Sequence, residues 1–259
     1  MSEAFRIKAS LEGLESDLLW EHGCAGVWQD GDHLVAYFAT RIPLPLKGQW
    51  ESINDIDYIK QYFDTLEPII FNHLIIAPTH RAIEAKQNQQ VIWLDPGMAF
   101  GTGHHETTHM ALETLETLEL KDKTVLDVGT GSGILAMAAS RLGSPNVIGI
   151  DLDPQAIRVA KENAQLNNIS LQLLDGTLEG QSNHSADIIV ANLFAELHVI
   201  LANHYQRVLK PKGALIITGI LSEKSPSVLE ALSTGFNLEQ THTRGEWTLF
   251  SFKLSTDKA

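Results

Sequence analysis

The sequence has 259 residues, 44% of them hydrophobic and 20% charged, so the chain can bury a substantial core and is not disordered. Nineteen basic residues against thirty-two acidic ones leave a formal net charge of −13. This balance argues against direct nucleic-acid binding, which relies on a basic surface. The single cysteine, Cys24, excludes an intrachain disulfide and favours the reducing cytoplasm. No signal peptide or membrane-spanning segment is expected.

The N-terminal part of the chain predicts a small α+β module over residues 1–53. Residues 5–9 form a candidate strand, and leucines recur at helical spacing from Leu11 to Leu19. Two strand-like runs, 25–28 and 34–38, then flank a turn at Asp30-Gly31-Asp32. This order predicts an antiparallel sheet whose role is recognition or packing. Apolar spacing over residues 50–63 predicts an amphipathic helix, which makes 54–68 a structured linker.

Strands and helices alternate in the rest of the chain, which predicts a second domain over residues 69–259. The pattern predicts extended structure over 69–77, 91–94, 125–128, 147–150, 171–174, 188–191 and 214–218. Helices are predicted from Glu106 and over 134–142, 154–167, 194–209 and 225–233. Such alternation indicates an α/β fold with a Rossmann-like, doubly wound, mostly parallel sheet covered on both faces. Two final strands, 236–241 and 247–254, are expected to place an antiparallel strand at one edge.

Residues 124–133, T-V-L-D-V-G-T-G-S-G, indicate a nucleotide site within this domain. A short apolar strand runs into three alternating glycines, Gly129, Gly131 and Gly133, and an apolar helix follows at once. The next strand ends in Asp151, where a carboxylate in this fold meets ribose hydroxyls. Asp151 could instead cap the helix that begins at Pro154, although Asp153 is better placed for capping.

The glycine spacing narrows the choice of ligand. The turn has neither the glycine spacing of dinucleotide-binding proteins nor the lysine of a P-loop. An adenosyl group carrying an amino acid, as in S-adenosylmethionine, therefore fits better than a dinucleotide or a nucleoside triphosphate. Asn192 ends a later strand at the carboxyl edge of the sheet and offers both a donor and an acceptor. It can orient a methyl-accepting amine beside the sulfonium. A turn-forming role for this asparagine is an equally open alternative.

Four segments together carry a resemblance to a known family. They are G-M-A-F-G-T-G-H-H-E-T-T over residues 97–108, L-D-V-G-T-G-S-G over 126–133, I-D over 150–151 and V-A-N over 190–192. They resemble the PrmA-type ribosomal protein methyltransferases, which are class I S-adenosylmethionine-dependent enzymes. The resemblance implies methylation of protein eleven of the large ribosomal subunit, on lysine side chains and on the N-terminal amine, with substrate recognition by the N-terminal domain. Together with the turn and the family-specific loop, it makes the expected cofactor-binding residues Phe100, Thr108, Gly129, Gly131, Asp151 and Asn192.

The same loop contains a competing motif, H-E-T-T-H over residues 105–109, which matches the pattern of zinc proteases. That chemistry needs both histidines on one face of an established helix and a third ligand. Upstream glycines and the missing third ligand argue against it, and no bound metal is expected. His105 is instead a candidate catalytic residue beside Asn192, to contact or deprotonate the amine, or else to fix the loop by hydrogen bonds. A monomeric, cytoplasmic protein methyltransferase is the preferred interpretation. A methyltransferase of the same class that acts on another protein or on a small molecule, and a catalytically silent binding module, are further alternatives.

Overall fold

The computed structural model describes residues 2–11, 13–24, 26–38, 40–53, 66–94 and 104–255. Within these residues the chain forms two compact units, of which the first ends at Leu66 and the second begins at Glu67. Phe100 and most of the predicted linker, 54–68, lie outside the described residues. In the parts of the chain that are described, no helix is long and apolar enough to cross a membrane.

Where the structure describes it, the first unit consists of a four-stranded antiparallel sheet and one helix. Its elements are β1 (Ser2–Ile7), α1 (Leu14–Glu21), β2 (Gly26–Asp30), β3 (His33–Phe38) and β4 (Gln49–Ile53). The strand order is β2-β3-β1-β4, and each pair of neighbours is antiparallel. Gly31, at a φ of 62°, opens the two-residue turn between β2 and β3. The predicted succession of strand, helix, strand and strand is therefore confirmed.

The prediction of a helix beginning at residue 50 is wrong for its first four residues, which belong to β4. Trp50 packs against Phe5 and Phe38, with ring centroids 5.0 and 5.3 Å apart. The segment pairs with β1, from Arg6 opposite Gln49 onward. Pairing with the edge of β1 and packing against two aromatic rings favour extended structure in this segment. The local spacing of apolar residues shows neither of these interactions. Residues 54–63 of the predicted helix lie outside the described residues.

The second unit has the alternating order that the sequence predicts. Its elements are β5 (Ile69–Ile70), β6 (Leu74–Pro78), β7 (Gln90–Leu94), α2 (Glu106–Glu116), β8 (Thr124–Val128), α3 (Ile134–Arg141), β9 (Asn146–Asp151), α4 (Pro154–Leu166), β10 (Gln172–Asp175), β11 (Ala186–Asn192), α5 (Ala195–Val208), β12 (Leu209–Leu221), α6 (Ser225–Leu232), β13 (Phe236–Arg244) and β14 (Trp247–Leu254). Seven strands form one sheet in the order β10-β9-β8-β11-β12-β14-β13. Strands β5, β6 and β7 form a separate three-stranded sheet.

The seven-stranded sheet confirms the predicted doubly wound fold. Its first five strands are parallel, and the hairpin of β13 and β14 follows at one edge, where β14 pairs antiparallel with both β12 and β13. Successive residues of β11 face opposite sides: Ile188 and Val190 join one hydrophobic cluster, whereas Ile189 and Ala191 join the other. Both faces of the sheet are therefore covered, which explains the nearly continuous apolar strands.

The order of the strands in the sheet determines where the predicted site residues lie. Chain order runs outward from β8 to β9 and β10 on one side, and from β11 to β12 on the other. The reversal between β8 and β11 is a topological switch point, where a crevice opens at the carboxyl ends of the strands. Gly129 follows β8 directly, and Asp151 and Asn192 are the last residues of β9 and β11. The fold therefore brings these three predicted residues to the same edge of one sheet.

Candidate active site

The glycine turn is held against the end of β9 by its own backbone. The N–H groups of Gly129 and Thr130 both donate to the carbonyl oxygen of Ile150, at 2.9 Å each. Gly129, Gly131 and Gly133 have φ values of 72°, 52° and 81°. Residues with a Cβ avoid this left-handed region. At Gly133 a Cβ would also lie 3.1 Å from the Cβ of Ala160 on α4, so glycine lets α3 begin close to α4.

Asp151 closes this turn with its carboxylate. Its Oδ2 accepts the N–H of Gly131 at 2.9 Å, and its Oδ1 accepts the N–H of Asp153 at 3.0 Å. The cap of α4 is Asp153, whose side chain accepts the N–H of Gln155 at 2.8 Å. Asp151 is thus released from capping, and each of its carboxylate oxygens keeps a second lone pair that can accept a ribose hydroxyl.

Asp127 is a site residue to which the sequence interpretation assigned no role. Its carboxyl is 1% exposed in β8, where Oδ2 accepts bonds from the Thr130 hydroxyl at 2.7 Å and the Ala136 N–H at 3.1 Å. Its Oδ1 is buried without a hydrogen-bond partner in the described residues. Burial raises the pKa of Asp127 to about 7, and the charge of Asp151 also raises it. The feature of the sequence that could have identified Asp127 is an acidic residue within an otherwise apolar strand.

Asn192 is tied to the start of α2. Its Nδ2 donates to the hydroxyl oxygens of Thr107 and Thr108, at 3.1 and 3.2 Å, and both threonines are buried. Behind it, the N–H of Leu193 donates to the carbonyl of Thr218 at 3.0 Å. The structure therefore brings together Thr108 and Asn192, two of the predicted site residues that lie far apart in the sequence.

A buried histidine supports the end of β11, which carries Asn192. His198 is 0% exposed, its Nε2 lies 2.8 Å from the Thr218 carbonyl oxygen, and its Nδ1 lies 3.0 Å from the Tyr205 hydroxyl. Burial lowers the pKa of His198 to about 4, so the ring is neutral near pH 7. The Thr218 carbonyl thus accepts bonds from both α5 and Leu193, which fixes the end of β11 relative to β12.

His105 begins α2 as its N-terminal cap. Its Nδ1 accepts the backbone N–H of Thr107 at 3.3 Å and lies 2.8 Å from the Thr107 hydroxyl oxygen. The ring stands edge-on to Trp247, with centroids 4.9 Å apart. Burial lowers the pKa of His105, so the neutral ring is favoured.

The other polar residues of the H-E-T-T-H segment have different partners. His109 Nδ1 accepts a bond from the Arg244 guanidinium, which also contacts the Glu113 carboxylate at 3.2 Å. The Glu106 carboxylate occupies the space that a Cβ at Gly245 would need. Among the residues described, no three histidine, cysteine or acidic side chains are grouped closely enough to share a metal ion. The described geometry therefore does not assemble the zinc-protease site that the motif allows.

The residues at this edge fit S-adenosylmethionine. The glycine turn brings backbone without Cβ atoms to this edge, the Asp151 carboxylate can accept from a ribose, and the buried Oδ1 of Asp127 lacks the donor that a ligand ammonium group would supply. The hydroxyl of Thr108 adds a polar group beside Asn192. A neutral diol and a cationic amino-acid end both suit two carboxylates, whereas a pyrophosphate would be repelled by them.

Comparison with known proteins agrees with this geometry. The family described as ribosomal protein L11 methyltransferase (PrmA) matches residues 13–255. The chain is 42% identical over 250 residues to a ribosomal protein L11 methyltransferase of Deinococcus radiodurans, covering 90% of this chain and 91% of that protein. It is 38% identical over 252 residues to one of Thermus thermophilus, covering 96% and 98%.

A solved structure leads to the same family. The crystal structure of a ribosomal protein L11 methylase from Lactobacillus delbrueckii subsp. bulgaricus superposes with a TM-score of 0.69 at 34% identity, covering 73% of this chain and 99% of that one. The fold, the turn and the family match are consistent with one another. The chain therefore belongs to the ribosomal protein L11 methyltransferase (PrmA) family, and it is an S-adenosylmethionine-dependent methyltransferase.

Proposed function

We propose that this enzyme methylates ribosomal protein L11 on amines, namely lysine side chains and the N-terminal amine. The observation that carries the proposal is the placement of Asn192, whose amide is held at the switch point beside the glycine turn. An amide there can receive an amine that faces a methyl donor. The names of the two relatives, each aligned over at least 90% of this chain, supply the substrate.

The chemistry asks the protein mainly for alignment. The bound cofactor supplies a methyl group already activated on a sulfonium, and the amine must meet it in line. A lysine with a solution pKa of ~10.4 needs roughly 4 to 5 kcal/mol to be neutral at pH 7, whereas an α-amine with a pKa of ~8 needs about 1 kcal/mol. A partly desolvated site lowers the free energy needed to deprotonate the lysine, since desolvation disfavours the ammonium form.

The cofactor is proposed to contact the residues predicted from sequence, with one addition. Gly129 and Gly131, which have no Cβ, are proposed to let the cofactor approach the backbone of the turn closely, and Asp151 is proposed to bind the ribose. Asp127 is added for the cationic end of the cofactor, because its Oδ1 is buried without a partner in the described residues. Thr108 and Asn192 are proposed to lie between cofactor and amine, and Phe100 stays a prediction outside the described residues.

The N-terminal unit is proposed to select the protein substrate. Residues 1–53 contain their own hydrophobic cluster around Phe5, Leu34 and Phe38, so they can present a surface independently of the catalytic core. Deleting these residues should abolish methylation of L11 and leave cofactor binding by calorimetry intact. Normal methylation by the shortened enzyme would contradict this assignment. A ribosomal protein substrate also fits a monomer in the cytoplasm, and the net charge of −13 suits a basic protein better than nucleic acid.

The decisive experiment is mass spectrometry of purified ribosomal proteins after incubation with the enzyme and S-adenosylmethionine. We expect mass increments of whole methyl groups on L11, located on lysine and on the N-terminal amine. Increments on another protein with L11 unchanged would contradict the proposal.

The role of Asn192 can be tested in the same assay. Asn192→Ala should lower kcat roughly tenfold to a hundredfold and change the cofactor Kd by less than about threefold, because the amide acts on the amine. Asn203→Ala, at an exposed position of α5, is the matched control and should behave like the unsubstituted enzyme. A loss confined to cofactor affinity would refute this role.

A further inference from the structure

The glycine turn does not account for the H-E-T-T-H segment, residues 105–109, and the family resemblance does not say how its side chains act together. In the structure its first half forms a polar chain that ends at Asn192. The Asn192 Nδ2 lies 3.1 Å from the Thr107 Oγ1, which in turn lies 2.8 Å from the Nδ1 of His105. Thr107 is 1% exposed, so water does not compete for its hydroxyl. These hydrogen bonds therefore connect the ring of His105 to the side-chain amide of Asn192.

The direction of the protons along this chain follows from one fixed donor. The backbone N–H of Thr107 points to His105 Nδ1, and a backbone N–H can only donate. Nδ1 consequently holds a lone pair, and the ring proton lies on Nε2. The Thr107 hydroxyl, which faces the same nitrogen, also donates to it. Burial, which lowers the pKa of His105, keeps the ring in this neutral form.

The orientation of Asn192 follows from that direction. With its proton committed to His105, the Thr107 oxygen can only accept from Asn192, and the Thr108 oxygen accepts a second N–H at 3.2 Å. Both amide hydrogens are thus used, and Oδ1 lies on the opposite side. Gly219, at a φ of 84°, leaves room there, since a Cβ would approach to 2.9 Å of Oδ1. Turning the amide over would break this run of bonds.

We propose that His105 and Thr107 are positioning residues that hold the Asn192 amide with its Oδ1 directed at the methyl-accepting amine. This inference rests on the proposed function. His105 acts through Thr107 and takes no proton from the amine, because its lone pair is already engaged at Nδ1. Contacts with Trp247 and, through His109, with Arg244 hold the same segment against the β13–β14 hairpin.

Isosteric substitutions on α2 test the hydroxyl. Thr107→Val removes it and should lower kcat roughly tenfold, with KM for L11 and the cofactor Kd changed by less than about twofold. Thr107→Ser should rescue most of the loss. Thr114→Val is the matched control, because that hydroxyl is also buried in α2 and donates to its own helix, at the Met110 carbonyl. Equal kcat losses in Thr107→Val and Thr114→Val would overturn the proposal.

The two roles of His105 are separated by a pair of variants. Asparagine caps helices well and offers an acceptor, but it does not titrate. His105→Asn should therefore restore most of the kcat that His105→Ala loses, and the double variant His105→Ala with Thr107→Val should lose no more than either single variant. A loss in His105→Asn as large as in His105→Ala, with a flattened pH profile, would show a base and overturn the proposal.

A measurement without substrate separates this inference from the proposed function. Nitrogen NMR of the labelled full-length enzyme should show His105 as the tautomer protonated on Nε2, and a proton on Nδ1 would overturn the proposal whatever the substrate is. If the unsubstituted enzyme modifies no L11, the proposed function fails while the NMR result still decides the orientation. If Thr107→Val fails to fold, the His105 pair and the tautomer decide the matter.

Discussion

The glycine turn, residues 129–133, and the start of α2, residues 105–109, serve the same edge of the sheet by different means. The turn works through backbone conformation, and its side-chain anchor, Asp151, lies 20 positions from Gly131. The start of α2 works through side chains whose partners lie 85 positions away at Asn192 and 135 positions away at Arg244. A local backbone conformation can be predicted from the sequence, whereas the hydrogen-bond partner of a side chain cannot when that partner lies far along the chain. Substitutions of Asp151, Gly133 and Asp127, which form or border the turn, can break or sharpen this comparison.

The largest effect is expected at Asp151. Asp151→Ala removes the acceptor for the Gly131 N–H and the proposed ribose contact, so the cofactor Kd should rise roughly a hundredfold. Asp153→Ala, two residues along, removes the cap of α4 and should cost about 1 kcal/mol of unfolding free energy with little change in Kd. Calorimetry and denaturant unfolding measure the two quantities. Equal cofactor affinities in the two variants would refute the ribose assignment.

A smaller effect is expected from backbone strain in the turn. Gly133→Ala forces a residue with a Cβ to a φ of 81° and places it 3.1 Å from Ala160, so it should lower the unfolding free energy by about 2 kcal/mol. Gly143→Ala is strained at a φ of 108° but has nothing within 4 Å. Both should destabilise, and Gly133→Ala alone should also weaken cofactor binding. If Gly143→Ala weakened it equally, the turn would not be the binding element.

The smallest effect is a pH dependence from Asp127. Burial raises the pKa of this carboxyl to about 7, so in the free protein it is protonated below that pH. A cationic ligand favours the ionised form, and cofactor affinity should therefore rise about tenfold between pH 6 and pH 8.

Asp127→Asn should flatten that profile, as measured by calorimetry across the range. The stability of the ligand-free protein should show the opposite sign. Because the folded pKa lies above the unfolded value, the contribution of Asp127 is present at low pH and is lost as pH rises toward about 7. A steep affinity profile that survives in Asp127→Asn would contradict the assignment of this carboxyl.

Most of the fold could be predicted because its strands and helices have strong local periods. The strand pattern up to β3, the parallel sheet and the final hairpin follow from alternation and turn residues alone. The segment at residues 50–53 was misassigned, since its conformation depends on pairing with β1 and on packing against Phe5 and Phe38. A short apolar period is ambiguous wherever the neighbouring strand decides it.

The sequence by itself determined the turn, its acidic partner Asp151 and the family, because these depend on conformations and spacings within a few tens of residues. Only the tertiary structure decided what the histidine motif does. It placed Thr107 between His105 and Asn192, engaged His109 with Arg244 and left one buried oxygen of Asp127 without a partner in the described residues. The physical reason is that hydrogen bonds join atoms that are near in space. The sequence indicates local backbone conformations, but it does not show which distant residues the fold brings together.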